Sequence, residues 1–545
     1  MGTHEVANQA PPLLDYDAYL ADPVLRQAVE REGGGWGHEE IGSFARLVTS
    51  AEVYHWGFEA NVNEPVLHTH DRFGHRRDEV EYHPAWHSLM AVSVGHGLHS
   101  LPFEHPPGEG GRVVRDAMFS LMSQVEAGHG CPISMTTSVL PALRRQPEIA
   151  WEWEPMVLSR TYDQRFAPLE SKLGALMGMG MTEKQGGSDV RSNTSTAAGS
   201  GGPGTEYSVT GHKWFTSAPM CDAFLILAQS AGGLSCFLLP RFRPDGTVNA
   251  IRLMRLKDKL GNRSNASSEL EFDGATAWMV GEEGRGVATI IEMVNHTRLD
   301  CVVGSVGLMR QAVSQAAWHA AHRAAFGARL IDKPLMQNVI ADLEIEVETA
   351  TMMMARLSGA FDRAATDPAE EAFRRLATPV AKYWVTKRCT PVVRESMECL
   401  GGNGYVEESI VPRLFRESPV NAIWEGSGNV IALDALRALA KERNAGEAFL
   451  DELDGARSID RVLDEAIDDT AAMLASIRET EQQARRIVER LATVWAATLL
   501  ARFGSDVAFE AYLRSRIAGD GGSFFGTLPP STALGDLARA AIPAL

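Results

Sequence analysis

Cysteine is scarce and scattered in this sequence of 545 residues. The six cysteines include no C-x-x-C pair. Such pairs would mark a structural zinc site or a redox dithiol, and regularly spaced cysteines would indicate a disulfide framework. The sequence therefore predicts neither disulfides nor structural zinc, and it fits a reducing compartment.

Long apolar runs and an excess of basic residues are missing as well. The longest nearly apolar stretch, residues 492–501, is far shorter than the roughly 20 residues of a membrane-spanning helix. The first residues are polar and acidic and do not resemble a secretory signal, so we expect a cytoplasmic protein without membrane contact. A formal net charge of -18 argues against a chain that binds nucleic acid over its whole surface.

The spacing of apolar residues divides the chain into helical and β-rich parts. It predicts an α+β protein with a helical domain at 1–180, a β domain at 181–286, a helical bundle at 287–440 and a helical extension at 441–545. This order differs from the strand-helix alternation of a Rossmann sheet. The histidine-rich residues 68–75 interrupt the first helical pattern and are predicted to be a loop.

Two neighbouring motifs are suited to holding a polar heterocycle. Residues 179–189, M-G-M-T-E-K-Q-G-G-S-D, combine hydroxyls, paired glycines and free backbone amides, although a simple hinge loop has the same composition. Residues 213–217, K-W-F-T-S, place an aromatic residue beside hydroxyls on a strand. An indole could cover a ring face there, or it could be an ordinary core tryptophan.

Three later motifs are polar or glycine-rich at helix ends. R-A-A-F-G at 323–327, followed by Gln337, offers a guanidinium and an aromatic ring, and C-L-G-G-N-G-Y at 399–405 ends a helix. I-W-E-G-S-G-N at 423–429 places Glu425 between an aromatic and small residues. A carboxylate in an apolar pocket can act as a general base, whereas a helix N-terminal acid complements the helix dipole.

In this order the five motifs resemble those of the acyl-CoA dehydrogenase family over about residues 80–440. The longer strings, including L-K-D-K-L-G-N-R-S-N-A-S at 256–267, are similar to the AidB-like branch linked with the response to DNA alkylation. The resemblance implies the acyl-CoA dehydrogenase fold, with an N-terminal helical domain, a central β-barrel domain and a C-terminal helical bundle, plus an additional C-terminal helical unit. It also implies a flavoprotein that forms a homotetramer.

The same resemblance implies FAD as the cofactor and assigns residues to it. Thr182 and Ser188 would hold the pyrimidine edge and the pyrophosphate, Trp214 would shield the isoalloxazine, and Thr216 or Ser217 would approach N5. The full set implied for the flavin end is Met179, Gly180, Met181, Thr182, Gly187, Ser188, Trp214, Phe215, Thr216, Ser217, Trp424, Gly426, Ser427 and Asn429. For the adenine end, bound mainly by a neighbouring subunit, it is Arg323, Phe326, Gln337, Gly401 and Gly402.

The resemblance further implies that Glu425 removes the proton next to the thioester carbonyl of an acyl-CoA while a hydride passes to the flavin. In the branch that includes isovaleryl-CoA dehydrogenase the base lies on an earlier helix, and this chain has Thr297 at the matching position. Trp424 stands where the wider family commonly has tyrosine, which favours a short or branched acyl group.

The alternative function is an AidB-type DNA-associated flavoprotein with weak dehydrogenase activity, whose extension binds double-stranded DNA. From residue 441 onward 12 Lys and Arg stand against 17 Asp and Glu, a net charge of -5. Arg478, Arg485, Arg486 and Arg490 share one helix face, but glutamates interleave with them. The scattered histidines show no metal-binding pattern, so no metal site is predicted.

Overall fold

The computed structural model describes residues 2–476, 481–531 and 533–544. It divides the chain into two compact units. The first unit comprises Met1–Ala51, His105–Val125 and Cys301–Leu545, and the second comprises Glu52–Glu104 and Glu126–Asp300. The first unit is almost wholly helical, whereas the second combines helices with the main sheet. The predicted order of helices, strands and helices is confirmed.

The elements follow one another in chain order as two series. The helices are α1 Pro23–Arg31, α2 His38–Val48, α3 Ala51–Val62, α4 Pro84–Gly95, α5 Leu101–Glu104, α6 Gly111–Ser123, α7 Gly130–Leu143, α8 Pro147–Val157, α9 Gly286–His322, α10 Pro334–Arg363, α11 Pro368–Cys399, α12 Val411–Glu417, α13 Gly428–Lys441, α14 Arg443–Asp454, α15 Arg461–Ser476, α16 Ala484–Phe503, α17 Asp506–Tyr512 and α18 Leu534–Ala540. The strands are β1 Val66–His70, β2 Arg76–Glu81, β3 Met177–Gly180, β4 Thr196–Ala198, β5 Glu206–Ser217, β6 Ala223–Ser230, β7 Gly233–Pro240, β8 Ile251–Leu256, β9 Ser267–Val280, β10 Ala324–Ala325 and β11 Ala328–Arg329.

A seven-stranded sheet in the second unit closes on itself. Its strand order is β3-β6-β4-β5-β9-β7, and an additional pairing of β6 with β7 closes a ring of β6, β4, β5, β9 and β7, while β3 pairs with β6 and β8 with β9 outside that ring. Closure removes exposed sheet edges, as in a β-barrel. The long antiparallel pair β5–β9 shifts register between Lys213 and Thr216. This irregularity falls within the K-W-F-T-S motif, so the motif lies on a distorted part of the barrel wall.

The prediction of a loop at residues 68–75 is correct for 71–75, which form the turn of a hairpin, and wrong for 68–70, which belong to its first strand, β1. The second strand of this hairpin has only one apolar residue, Val80, so the sequence shows no alternation of apolar and polar residues that would predict a strand. Its stability comes from side-chain bonds to the barrel. Arg76 donates to the carbonyl of Leu253 at 3.0 Å, and Asp78 accepts from the amide of Leu253 at 2.9 Å.

The C-terminal extension packs into the core of the first unit. Phe373 on α11, Phe449 on α14 and Trp495 on α16 form a buried aromatic cluster with ring centroids 5.6–5.9 Å apart. Arg516, which follows α17, lies 3.0 Å from Glu346 on α10 and also pairs with Asp342. Both apolar packing and buried ion pairs therefore attach the extension to the bundle.

Helix α10 also carries Glu344 and Glu348, which are both buried. Glu344 is paired with Arg310 at 2.8 Å, and Arg310 contacts Asp22 at 3.0 Å. Glu348 lies one turn further, and its Oε2 has no hydrogen-bond partner among the described residues. Burial, reinforced by the charge of Glu344, raises the pKa of Glu348 to about 8. This carboxyl is therefore largely protonated at neutral pH.

We expect Glu348→Gln to stabilise the protein above neutral pH. The raised pKa means that only the unfolded chain ionises this group between about pH 4.5 and 8, so native stability falls across that window. Glutamine removes the penalty, with an expected gain of roughly 2–4 kcal/mol at about pH 7.5 and almost none near pH 4.5. Urea unfolding at both pH values measures the difference. An equal effect at the two pH values, or an equal gain in Glu489→Gln on the exposed face of α16, would contradict this explanation.

Candidate active site

A buried ion pair fixes the glycine-rich loop that follows β3. Lys213 Nζ lies 2.7 Å from Glu183 Oε1, and neither side chain is exposed. The carboxylate also accepts from the amides of Thr194 and Ser195, while Lys213 donates to the carbonyl of Leu227. Burial opposes the charge on Glu183, but the bonds from Lys213 and Thr194 outweigh it and hold the pKa of this carboxyl well below its usual range. Loop and barrel are thus joined inside the second unit.

The structure brings the two motifs of the second unit together. The amide of Trp214 donates to the carbonyl of Thr182 at 2.8 Å. A Cβ at position 187 would lie 2.4 Å from Thr182 Oγ1, so the close return of the loop requires Gly187. Within this motif Met179 and Gly180 are buried, Met181 and Thr182 are half-buried, and Gly187 and Ser188 are exposed.

The hydroxyl of Thr216 is buried and has no hydrogen-bond partner in the described part of the chain. A Cβ on Gly180 would lie 3.3 Å from this oxygen, so a glycine there leaves room beside the hydroxyl. Ser217, by contrast, lies 3.4 Å from the hydroxyl of Ser267. Since an unsatisfied buried hydroxyl costs free energy, a polar ligand atom at Thr216 would remove that cost.

The indole of Trp214 already carries a cation on its ring. Lys257 Nζ lies 3.3 Å from the ring centroid and is held there by Glu269 at 2.6 Å. Lys184 and Arg255 also lie near this ring, 5.4 and 5.7 Å from its centroid. Phe215 is 55% exposed. Lys257 is part of the string at 256–267, but its spacing from Trp214 in sequence gave no reason to connect the two residues.

Glu425 lies on a tight loop in the first unit, just before α13. It has a left-handed backbone with φ of +57°, followed by Gly426 at +108°. Such a conformation in a glutamate costs on the order of 1–3 kcal/mol and persists only where the surroundings enforce it. Lys382 on α11 supplies that constraint, because its buried ammonium donates to the carbonyls of Trp424 and Gly426 at 2.9 and 2.6 Å. Sequence reasoning missed Lys382, which lies more than 40 residues away.

The residues flanking Glu425 are held by side-chain bonds. The indole Nε1 of Trp424 donates to Asn421 at 3.0 Å, and Asn421 donates to the hydroxyl of Ser305 at 3.1 Å. On the other side Asn429 accepts from Arg485 on α16 at 2.8 Å. Ser427, exposed at the N-cap of α13, makes no capping hydrogen bond through its side chain. The loop is therefore anchored both to the bundle and to the extension.

The residues predicted for the adenine end lie at the surface of the first unit. Phe326, with a left-handed backbone, is 96% exposed, and Gly401 and Gly402 are exposed as well. Arg323 donates to the carbonyl of Asn8 at 2.6 Å. Gln337 is half-buried near the start of α10.

Thr297 on α9 is buried, and its hydroxyl donates to the carbonyl of Val294 one turn earlier. The position that holds the base in another branch of the family therefore carries no acid here. His68 and His75 pair with Glu81 and Asp71, and among the described residues no group of three His, Cys, Asp or Glu could hold a metal ion. Within that same part of the chain no helix is long and apolar enough to cross a membrane.

Comparisons with known proteins agree with this arrangement of elements. Residues 8–164 match the N-terminal domain of the adaptive response protein AidB, residues 178–275 the middle domain of acyl-CoA dehydrogenases, and residues 284–440 their C-terminal domain. The chain is 44% identical over 525 residues to AidB of Escherichia coli strain K12, with 95% of each protein covered. The chain belongs to the acyl-CoA dehydrogenase family. Its predicted similarity to the AidB-like branch is confirmed.

Two comparisons with a nematode protein extend this result for the acyl-CoA dehydrogenase family. Acyl-CoA dehydrogenase family member 11 of Caenorhabditis elegans is 32% identical over 465 residues, which cover 81% of this chain and 73% of the relative. The crystal structure of Caenorhabditis elegans ACDH-11 in complex with C11-CoA superposes with a TM-score of 0.84 at 26% identity, covering 99% of this chain and 93% of that one. The predicted acyl-CoA dehydrogenase fold is thereby confirmed, while the domain boundaries and the roles of individual site residues stay predictions.

Proposed function

We propose that this protein is an FAD-dependent acyl-CoA dehydrogenase that removes hydrogens from the α- and β-carbons of an acyl-CoA thioester, with Glu425 as the base. The observation that carries the proposal is the strained loop on which Lys382 fixes Glu425. A left-handed backbone that the surroundings enforce on a glutamate is typical of functional sites. The experiment that tests the proposal is anaerobic bleaching of the flavin against a panel of acyl-CoAs.

The residues of the second unit fit the flavin end of FAD. The unpartnered hydroxyl of Thr216 offers a hydrogen bond to a ring nitrogen, and the indole of Trp214, on the same strand, would shield the flavin ring. Thr182 and Ser188 lie on the loop that the Glu183–Lys213 pair fixes, and would hold the pyrimidine edge and the pyrophosphate. When bound, FAD supplies the hydride acceptor for the β-carbon.

Glu425 would accept the proton from the carbon next to the thioester carbonyl. General bases act efficiently when they are held in a fixed position, and Lys382 provides this by fixing the carbonyls on both sides of the residue. The amide of Glu425 would donate to the thioester oxygen as enolate character develops, as the family resemblance implies.

Trp424 is expected to restrict the acyl group. Its indole cannot swing freely, because Asn421 accepts its Nε1–H and is itself bonded to Ser305. A bulky side chain fixed next to the base favours a short or branched acyl group. The nematode relative was solved with C11-CoA. The panel should therefore include short, long, straight and branched acyl-CoAs. Reduction of the flavin by short or branched acyl-CoAs alone would indicate a narrow acyl pocket, and reduction by an eleven-carbon acyl-CoA would indicate a wide one.

Thr216→Val is expected to weaken FAD binding about tenfold, because the variant keeps the size of the side chain but removes the hydroxyl that a ring nitrogen would satisfy. Fluorescence titration of the flavin-free protein measures the dissociation constant. Ser217→Ala is the matched control, since that hydroxyl already has Ser267 within reach. Equal affinities in the wild type and Thr216→Val would remove Thr216 from the proposed site.

The exposed adenine-end residues fit the proposed homotetramer. A phenylalanine that is 96% exposed, such as Phe326, is costly in water and gains from being covered by a ligand or by another subunit. Within this proposal the four domains keep the predicted boundaries 1–180, 181–286, 287–440 and 441–545.

DNA binding by the extension has less support than catalysis. Of the four arginines of the predicted stripe, Arg478 lies outside the described residues. Arg485 is bonded to Asn429, and Arg490 donates to Thr470 and to the carbonyl of Ala466. The net charge of residues 441–545 is -5, whereas DNA binding through counterion release needs concentrated positive charge.

A further inference from the structure

An open cavity of about 430 Å³ lies in the first unit between α11, the loop before α13, and α16. Its walls include Lys387, Thr386 and Thr390 from α11, Ser427 and Asn429 from the loop and the start of α13, and Arg485 from α16. The volume is in the range of small-molecule sites. No carboxylate contributes to the lining that the structure describes.

Two cations face this cavity with hydrogen-bonding capacity left over. The ammonium of Lys387 has no acceptor in the described part of the chain and lies 5.3 Å from the ring centroid of Tyr383. Arg485 uses its Nε for Asn429, and its terminal nitrogens have no acceptor among the described side chains and carbonyls. Burial, with a contribution from the like charge of Arg485, lowers the pKa of Lys387. Two neighbouring cations without a shared carboxylate repel each other unless an anion joins them.

The N-terminus of α13 adds to the same field. This helix of 14 residues begins at Gly428, and Ser427 provides no side-chain cap. Its first amides are therefore not satisfied by a capping side chain, and the positive end of the helix dipole lies at the cavity. Cations, amides and hydroxyls together match the several oxygens of a phosphate better than the two of a carboxylate.

We propose that Lys387 and Arg485 form an anion site that receives a phosphate group of a nucleotide cofactor or substrate, either the pyrophosphate of FAD or a phosphate of CoA. The site deepens the proposed function and rests on it for the choice of nucleotide. Because Arg485 belongs to the C-terminal extension, one role of the extension would be to complete the nucleotide site beside the Glu425 loop. Arg485 would then bind the phosphate of a nucleotide within this cavity and not a phosphate of DNA.

Binding titrations of the full-length protein, stripped of flavin, test this site. The ligands are FAD, CoA and inorganic pyrophosphate, and the variants are Lys387→Met and Arg485→Met. Arg486→Met is the matched control, because Arg486 is an exposed neighbour that does not line the cavity. Each cavity variant is expected to bind one of the two nucleotides at least about tenfold more weakly than the control and to lose pyrophosphate binding. The salt dependence of that affinity should also become shallower.

The identity of the weakened nucleotide assigns the phosphate to FAD or to CoA. Lys387→Met separates this role from anchoring of the loop, because it leaves the bond between Arg485 and Asn429 in place. A wild type that binds pyrophosphate and CoA but no FAD would defeat the proposed flavin function and leave the anion site standing. Equal affinities for all three ligands in the variants and the control would overturn the site. With a labelled DNA duplex as a fourth ligand, variants that lose only DNA binding would also overturn the site.

Discussion

Glu425→Gln is expected to keep FAD bound while slowing reduction of the flavin by an acyl-CoA roughly 1,000-fold, the scale of a lost general base. Glutamine has nearly the same shape as glutamate, and the loop is held through backbone carbonyls that Lys382 binds. The left-handed backbone at this position should therefore survive the change. Stopped-flow absorbance of the flavin, measured anaerobically with the best substrate of the panel, gives the rate.

Glu408→Gln is a suitable control for that experiment, because Glu408 is exposed on a turn of the same unit. It should reduce its flavin as fast as the wild type. If Glu425→Gln were also reduced at the wild-type rate, the base would have to be another group. A variant that loses its flavin would instead show that the loop had changed shape, and Lys382→Met would then be expected to do the same.

The fold could be predicted from sequence wherever periodicity and burial agree. Strands β6 and β7 are continuous apolar runs, and α16 contains the apolar stretch at 492–501, which is buried as expected. The strands of the hairpin of β1 and β2 were not predicted because five of the six residues in β2 are charged, and the hairpin is held by Asp78 and Arg76, which bond to the barrel. Stabilisation by contacts distant in sequence leaves no local pattern.

At the candidate site, too, residues in local motifs could be predicted and residues that act through distant contacts could not. Motifs made Thr216 and Glu425 candidates, because short strings of hydroxyls, aromatics and glycines are informative by themselves. Lys382 and Lys257 could not be recognised, because each acts on a residue of another element. Lys382, for example, binds two backbone carbonyls, which any sequence supplies. The left-handed φ of Glu425 follows from that contact and is likewise invisible in the motif.

Lys213→Met is expected to destabilise the protein by about 3–5 kcal/mol, because it leaves the carboxylate of Glu183 buried without its cation. The amides of Thr194 and Ser195 would still bind that carboxylate but cannot neutralise it. Adding Glu183→Gln to Lys213→Met removes the stranded charge and should recover part of the loss. Lys184→Met, an exposed neighbour on the same loop, should change stability little. Denaturant unfolding of the wild type and the three variants, together with their flavin dissociation rates, tests this prediction.

A loss of stability below about 1 kcal/mol in Lys213→Met would mean that Glu183 accepts a proton when unpaired. In that case the loop would rely on its amide bonds, and flavin would dissociate from the single and the double variant at the same rate.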